Sequence, residues 1–239
     1  MAAARFTARY QMKIAFQVQA DGATRTVETE IRNLVVAGWA GRDRAAIEHH
    51  IEELAELGVP RPSSVPLYYR IAENQLSQAG RVLAVGPDSS GEAETFVFSV
   101  GGELYVSLAS DHTDRKLEAH SVALSKQVCV KPVASDAWRH ADVAEYWDEL
   151  VLRSYIVENG AEVLYQEGTL ASLRTPQDLI AGYTQGQASL PEGTGMTCGT
   201  VAAIGGIRAS TTFIMELHDP RRQRTLRHRY DVEVLPEIA

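Results

Sequence analysis

The chain has 239 residues, 45% of them hydrophobic, enough to bury a sizeable core as one large domain or as a core with a small appendage. With 31 acidic against 23 basic residues, a net charge of −8, and only a short basic cluster between Arg221 and Arg229, it lacks the positive surface that nucleic acid selects. No apolar run reaches the length of a membrane span, and the opening MAAARFTARYQMK has no apolar signal-peptide core, so the expectation is a cytoplasmic protein with neither nucleic-acid nor membrane partners.

Residues Lys13–Val18 and Thr24–Ile31 alternate apolar and polar side chains around Asp21-Gly22, which predicts a β-hairpin. Leu34–Trp39 is a short apolar strand. From Asp43 to Leu57 the apolar spacing becomes helical, and Gly58 ends that helix before Pro60. The helix carries His49, His50, Glu52, Glu53 and Glu56. The loop PRPSSVP reads as a junction between a small N-terminal hairpin-and-helix module, residues 1–60, and a main body, residues 61–239. Strands are expected at Leu67–Ile71, which includes Arg70, and at Arg81–Val85.

The central stretch runs from Ser89 to Lys126: a strand headed by Glu92-Ala93-Glu94, a turn at Gly101-Gly102, and a return strand ending at Asp111. In an extended chain Glu92 and Glu94 point the same way, where like charges repel unless a cation sits between them. Three carboxylates with open positions suit one hard divalent ion, Mg²⁺, Mn²⁺ or Ca²⁺. The competing assignment is the solvated face of an edge strand. Downstream, the pattern predicts a helix near Ala141–Arg153 and strands at Leu152–Val157 and Ala161–Gln166. A helix near Pro176–Tyr183 and strands at Thr211–Leu217 and His228–Leu235 complete the chain. Short strands with few helices and no βαβ alternation define a β-rich α+β fold. Cys129 and Cys198 lack metal-type spacing and read as free thiols, with a disulfide as the other option.

Five blocks occur in the order found in the fumarylacetoacetate hydrolase superfamily, which the chain resembles over residues 35 to 207. They are His50-Ile51-Glu52-Glu53 followed by GVPRPSSVPLYYR; Glu92-Ala93-Glu94; Ser110-Asp111-His112-Thr113-Asp114-Arg115-Lys116; Ser125-Lys126 with Pro132 behind; and Pro191-Glu192-Gly193-Thr194 with Gly199-Thr200-Val201. The chain looks like a divergent member, of a DUF2848-like bacterial subgroup within or beside that superfamily. It departs from the family pattern at Ser110, Lys116 and Val201, and its Glu94-to-Asp111 segment is short. The metal triad survives these changes.

The resemblance implies a mixed β-sandwich or β-roll core with a few short helices. It implies Glu92, Glu94 and Asp111 as metal ligands, and a homodimer. Lys126 would stabilise developing negative charge on the substrate, against the alternative of a snorkelling surface lysine. Arg115 and Arg70 would contact substrate, with pairing of Arg115 to Asp111 or Asp114 the alternative for that residue. His50 and Glu53 share a helix face and would act as general base and orienter, although His49 and Glu52 offer the same spacing. Thr200 would hydrogen-bond the substrate, or else belong to a tight turn. The implied chemistry is hydrolytic carbon–carbon cleavage of an acylpyruvate-type oxo acid. Decarboxylation of an oxaloacetate-like acid and keto–enol tautomerisation are alternatives at the same site, as is a silent oxo-acid-binding protein.

Overall fold

The computed structural model describes residues 12–20, 22–56 and 61–238. Its strands of four or more residues are β1 (Met12–Ala20), β2 (Ala23–Ile31), β3 (Asn33–Gly38), β4 (Leu67–Ile71), β5 (Arg81–Val85), β6 (Ala93–Val100), β7 (Glu103–Ser110), β8 (Asp136–Arg139), β9 (Val151–Glu158), β10 (Ala161–Thr169), β11 (Thr194–Thr197), β12 (Thr212–Asp219) and β13 (Arg224–Leu235). The α-helices are α1 (Arg44–Glu56), α2 (Arg115–Glu118), α3 (Val122–Gln127) and α4 (Pro176–Tyr183). The β-rich α+β expectation is met.

Among the described residues, eight strands form one sheet in the order β2-β1-β8-β7-β6-β11-β3-β4, and five form a second in the order β10-β9-β12-β13-β5. Neighbours are antiparallel except for β1 with β8, β11 with β3, and β13 with β5. The sheets pack face to face through Val97, Val106 and Leu108 on one side and Leu152, Phe213, Met215 and Tyr230 on the other. The opposite face of the larger sheet has its own core, where Phe16, Phe96, Phe98, Ile31 and Leu34 meet. Strand β6 is therefore buried on both faces, which is why ETFVFSV carries almost no polar alternation. The strands of the expected N-terminal module, β1 to β3, lie in this same sheet and share its core with β6 and β7. No helix of the described residues is long and apolar enough to cross a membrane.

The helix expected near Ala141–Arg153 is instead two 3-10 stretches, His140–Asp142 and Ala144–Glu149, followed directly by β9. Tertiary anchors override the helical pattern. Trp147, Val143 and Leu150 are buried, while the Tyr146 hydroxyl sits 3.1 Å from Asp219 Oδ2 and bonds the Asp142 carbonyl at 3.0 Å. Tyr146 and Val143 leave helical dihedrals to make those contacts. The sequence reading also passed over the short helices α2 and α3. Asp114 and Ser121 cap them, each accepting a backbone N–H three residues on.

In this turn His140 is buried against the Trp147 ring, and burial lowers its pKa from 6.5 to about 4. The unfolded chain thus takes up a proton that the native histidine resists. The stabilisation is complete above pH 6.5 and lost as pH falls toward about 4, an effect of roughly 3 kcal/mol. His140→Gln should flatten the acid limb of urea-unfolding stability measured from pH 7 to 4. An unchanged slope would reject this assignment.

Candidate metal centre

The hairpin formed by β6 and β7 brings its two ends together at the acidic residues. Ala93 pairs with Ser110 and Glu94 with Ala109. Just beyond the strands, the Asp111 amide donates to the Glu92 carbonyl at 3.0 Å, and the Glu92 amide donates to Ser110 Oγ at 3.2 Å. Ligand atoms of Glu92, Glu94 and Asp111 consequently lie within 4.8 Å of one another. Glu94 shares a face with Phe96 and Phe98, so a carboxylate stands at the rim of an aromatic core.

Burial, then the nearby Asp111 charge, pushes the Glu94 pKa up to about 8. Burial acts on Asp111 in the same sense. There, Lys126, Lys131 and Arg115 outweigh it and hold the carboxyl below its usual range. Lys126 Nζ donates to Asp111 Oδ2, beneath the Tyr69 ring at 5.7 Å from its centroid. Burial would lower the Lys126 pKa, but Asp111 and Glu92 reverse that and hold the ammonium charged. The snorkelling alternative fails, since this side chain is only 8% exposed.

Lys131 is a site residue that the sequence reading missed. It is fully buried, and its ammonium donates to the carbonyls of His112 and Lys126 at 2.5 Å each and of Cys129 at 3.3 Å, with Asp111 Oδ1 3.4 Å away. Its signal was a charge between Val130 and Pro132 in an apolar run, where a lysine needs buried acceptors. Cys129 and Cys198 are both buried free thiols, which removes the disulfide option.

Arg115 is held by neither aspartate weighed for it. Its guanidinium contacts Glu92 Oε1 at 3.0 Å and Glu118 Oε2 at 2.9 Å, and its Nε donates to Ser90 Oγ at 2.7 Å. It therefore orients the outermost carboxylate of the triad. Arg70 is exposed on β4. It follows Tyr69, which packs toward the Lys126 side, and so points from the other face of the strand, away from the triad. Thr200 approaches the triad from behind, its hydroxyl donating to the Ala93 carbonyl at 2.7 Å. The Gly199 amide donates to Glu94 Oε2 at 2.7 Å. Gly199 has φ +88°, and a Cβ there would meet Ala40 Cβ at 2.7 Å, so only glycine brings this amide so close. Helix α1, capped by Asp43, carries the backbone of His50 and Glu53; their side chains lie outside the described residues.

The donor set fits a hard divalent ion. It is all-oxygen, its carboxylates converge, and Asp111 Oδ1 is buried without a hydrogen-bond partner. A further polar cluster stands beside the triad, to which the second sheet contributes Tyr230. His112, neutral because burial lowers its pKa to about 3, bridges Ser89 Oγ and the Tyr230 hydroxyl at 2.9 Å each, and Tyr230 donates to Ser110 Oγ at 2.9 Å.

This two-sheet fold matches that of fumarylacetoacetate hydrolase family proteins. Solved structures that share it include yeast ynq8, a fumarylacetoacetate hydrolase family protein, at 16% identity, 87% coverage of this chain and 95% of that one, and a TM-score of 0.60. A candidate fumarylpyruvate hydrolase from Burkholderia cenocepacia matches at 16% identity, 98% and 100% coverage, and a TM-score of 0.61. A 2-keto-3-deoxy-D-arabinonate dehydratase matches at 18% identity, 86% and 74% coverage, and a TM-score of 0.60. Within that fold, the chain belongs to the family described as a protein of unknown function, DUF2848, whose model matches residues 37–230. No curated protein matches the chain.

Proposed function

We propose that the chain is a divalent-metal-dependent hydrolase that cleaves a carbon–carbon bond in an acylpyruvate-type oxo acid. The observation that carries this reading is the convergence of Glu92, Glu94 and Asp111, where the buried Asp111 Oδ1 makes no hydrogen bond and only a 3.4 Å ion-pair contact with Lys131. An ion held by these three would polarise the oxygens of a 2-oxo acid. Lys126, kept protonated beside Asp111, would offset negative charge that develops on the substrate. Arg115, already engaged by Glu92 and Glu118, serves this reading by fixing Glu92 rather than as a free fork for substrate. His50, oriented by Glu53, would activate the water that adds to the acyl carbonyl. The names of two structural relatives, a candidate fumarylpyruvate hydrolase and a 2-keto-3-deoxy-D-arabinonate dehydratase, agree with an oxo-acid head group.

The test is a thermal-shift titration of EDTA-stripped protein with Mg²⁺ or Mn²⁺, with and without oxalate as a mimic of the pyruvate enolate. A ligand at about 100 times its dissociation constant adds roughly 2.7 kcal/mol, or about 5–10 °C for a chain of this size. A metal shift that grows with oxalate, followed by hydrolysis of acylpyruvates, is the expected result. Turnover of oxaloacetate alone would replace hydrolysis with decarboxylation at the same centre. No shift with any divalent ion would remove the metal mechanism.

A further inference from the structure

Between the two glutamates of the hairpin lies Ala93, fully buried, and both of its backbone polar groups are held by one ring of hydrogen bonds. The Ala93 amide donates to Gln166 Oε1 at 3.0 Å. Gln166 Nε2 donates to Thr200 Oγ1 at 2.8 Å, and Thr200 Oγ1 donates to the Ala93 carbonyl at 2.7 Å. The side-chain amide is saturated by two more bonds, from Ser154 Oγ at 2.7 Å and to the Val201 carbonyl at 2.6 Å. This arrangement fixes the direction of every donor. Turning the amide over would set its NH₂ against the Ala93 amide and its oxygen against the Val201 carbonyl.

Gln166 comes from β10, in the other sheet, and is only 1% exposed. The pairing of β9 with β10 slips at this point: Ser154 opposes Gln166 but Tyr155 opposes Leu164, leaving Tyr165 as the extra residue of a β-bulge. The bulge lets the consecutive residues Tyr165 and Gln166 both be buried, which the alternation of an edge strand with one exposed face does not give. A strand distorted so as to bury an amide against the Glu-Ala-Glu backbone needs a reason. The ring supplies one, because it also ties in Thr200, the neighbour of the glycine whose amide holds Glu94.

We propose that Gln166, acting through Thr200, is a positioning residue that sets the separation of Glu92 and Glu94 and thereby the affinity of the centre for its divalent ion. This rests on the metal reading of the triad. Partners one shell behind a ligand typically govern about 10–100-fold in metal affinity. Gln166→Met keeps the bulk and removes all four hydrogen bonds. Thr200→Val opens the ring at a half-buried position, whereas Thr200→Ser keeps it closed. Ser154→Ala removes a hydrogen bond to the same amide without opening the ring.

The experiment is calorimetric titration of the EDTA-stripped full chain with Mn²⁺ alone, alongside urea unfolding of each metal-free variant. Gln166→Met and Thr200→Val should raise the Mn²⁺ dissociation constant about 10–100-fold. Thr200→Ser and Ser154→Ala should stay within about threefold of the parent, even where Ser154→Ala loses comparable stability. If Gln166→Met does not fold, the valine–serine pair at position 200 decides. A parent-like constant in Thr200→Val, or an equal loss in Ser154→Ala, overturns the positioning role. Absence of Mn²⁺ binding by the parent chain overturns the metal reading itself, a separate result.

Discussion

Asp111→Asn should cost the metal-free protein about 3–5 kcal/mol, the usual penalty for stripping a buried charge of its partner. Lys126 and Lys131 are both buried, and Asp111 is the carboxylate that faces each of them. Lys131 keeps three carbonyl acceptors after the substitution, but Lys126 has Asp111 as its anionic hydrogen-bond partner. The lysines can escape part of the cost by losing a proton. That limits the loss without cancelling it, since a neutral amine still has to leave water. For a chain of this length the expected fall in melting temperature is about 6–20 °C. Urea unfolding in EDTA would measure it, and a loss under about 1 kcal/mol would show that the lysines do not depend on Asp111.

Glu94→Gln should act in the opposite sense on the metal-free fold and abolish the response to metal. The Glu94 carboxyl is disfavoured as an anion by burial and by Asp111, so an amide of the same shape relieves that strain. The amide oxygen can still accept from Gly199, preserving the one backbone bond that the carboxylate receives. Stability in EDTA should be unchanged or higher by about 1 kcal/mol. The Mn²⁺ dissociation constant should rise more than about 100-fold, beyond what loss of a residue that only touches a ligand produces. A variant that unfolds more easily in EDTA, yet still shifts with metal and oxalate, would remove Glu94 from the ligand set.

Much of this centre could be read from the residues because its ligands are local. Glu92, Glu94 and Asp111 sit on one hairpin whose turn, Gly101-Gly102, has positive φ at both residues, so alternation and turn chemistry place them at one end of it, while their reading as metal ligands came mostly from the family resemblance. The helix expected near Pro176–Tyr183 is also found there, capped by Thr175 with a proline in its first turn. What escaped depends on partners far away in sequence. The parallel pairings of β1 with β8 and β3 with β11 have no local signature. The burial of Lys131 depends on three carbonyls, of His112, of Lys126 in α3 and of Cys129. Arg115 was weighed against its chain neighbours Asp111 and Asp114, while its partners proved to be Glu92, across the hairpin, and Glu118, one turn along α2. The 3-10 stretch at 140–149 misled for the same reason: its helical spacing was real, but Asp219 and the core claimed its side chains.

The long-range hydrogen bonds that hold the hairpin, the ring around Ala93 and the Tyr230 bond to Ser110, also set an order of events during synthesis. The acidic hairpin is complete once residue 111 has left the ribosome, but Gln166, Thr200 and Tyr230 follow up to 119 residues later. At about 5–20 residues per second the delay is roughly 6–24 s. Through that interval the three carboxylates stand on the hairpin, and Lys126 and Lys131 on the chain behind it, without the sheet that will bury them. The nascent chain can thus present its ligands early but cannot fix their spacing until almost the last strand has emerged.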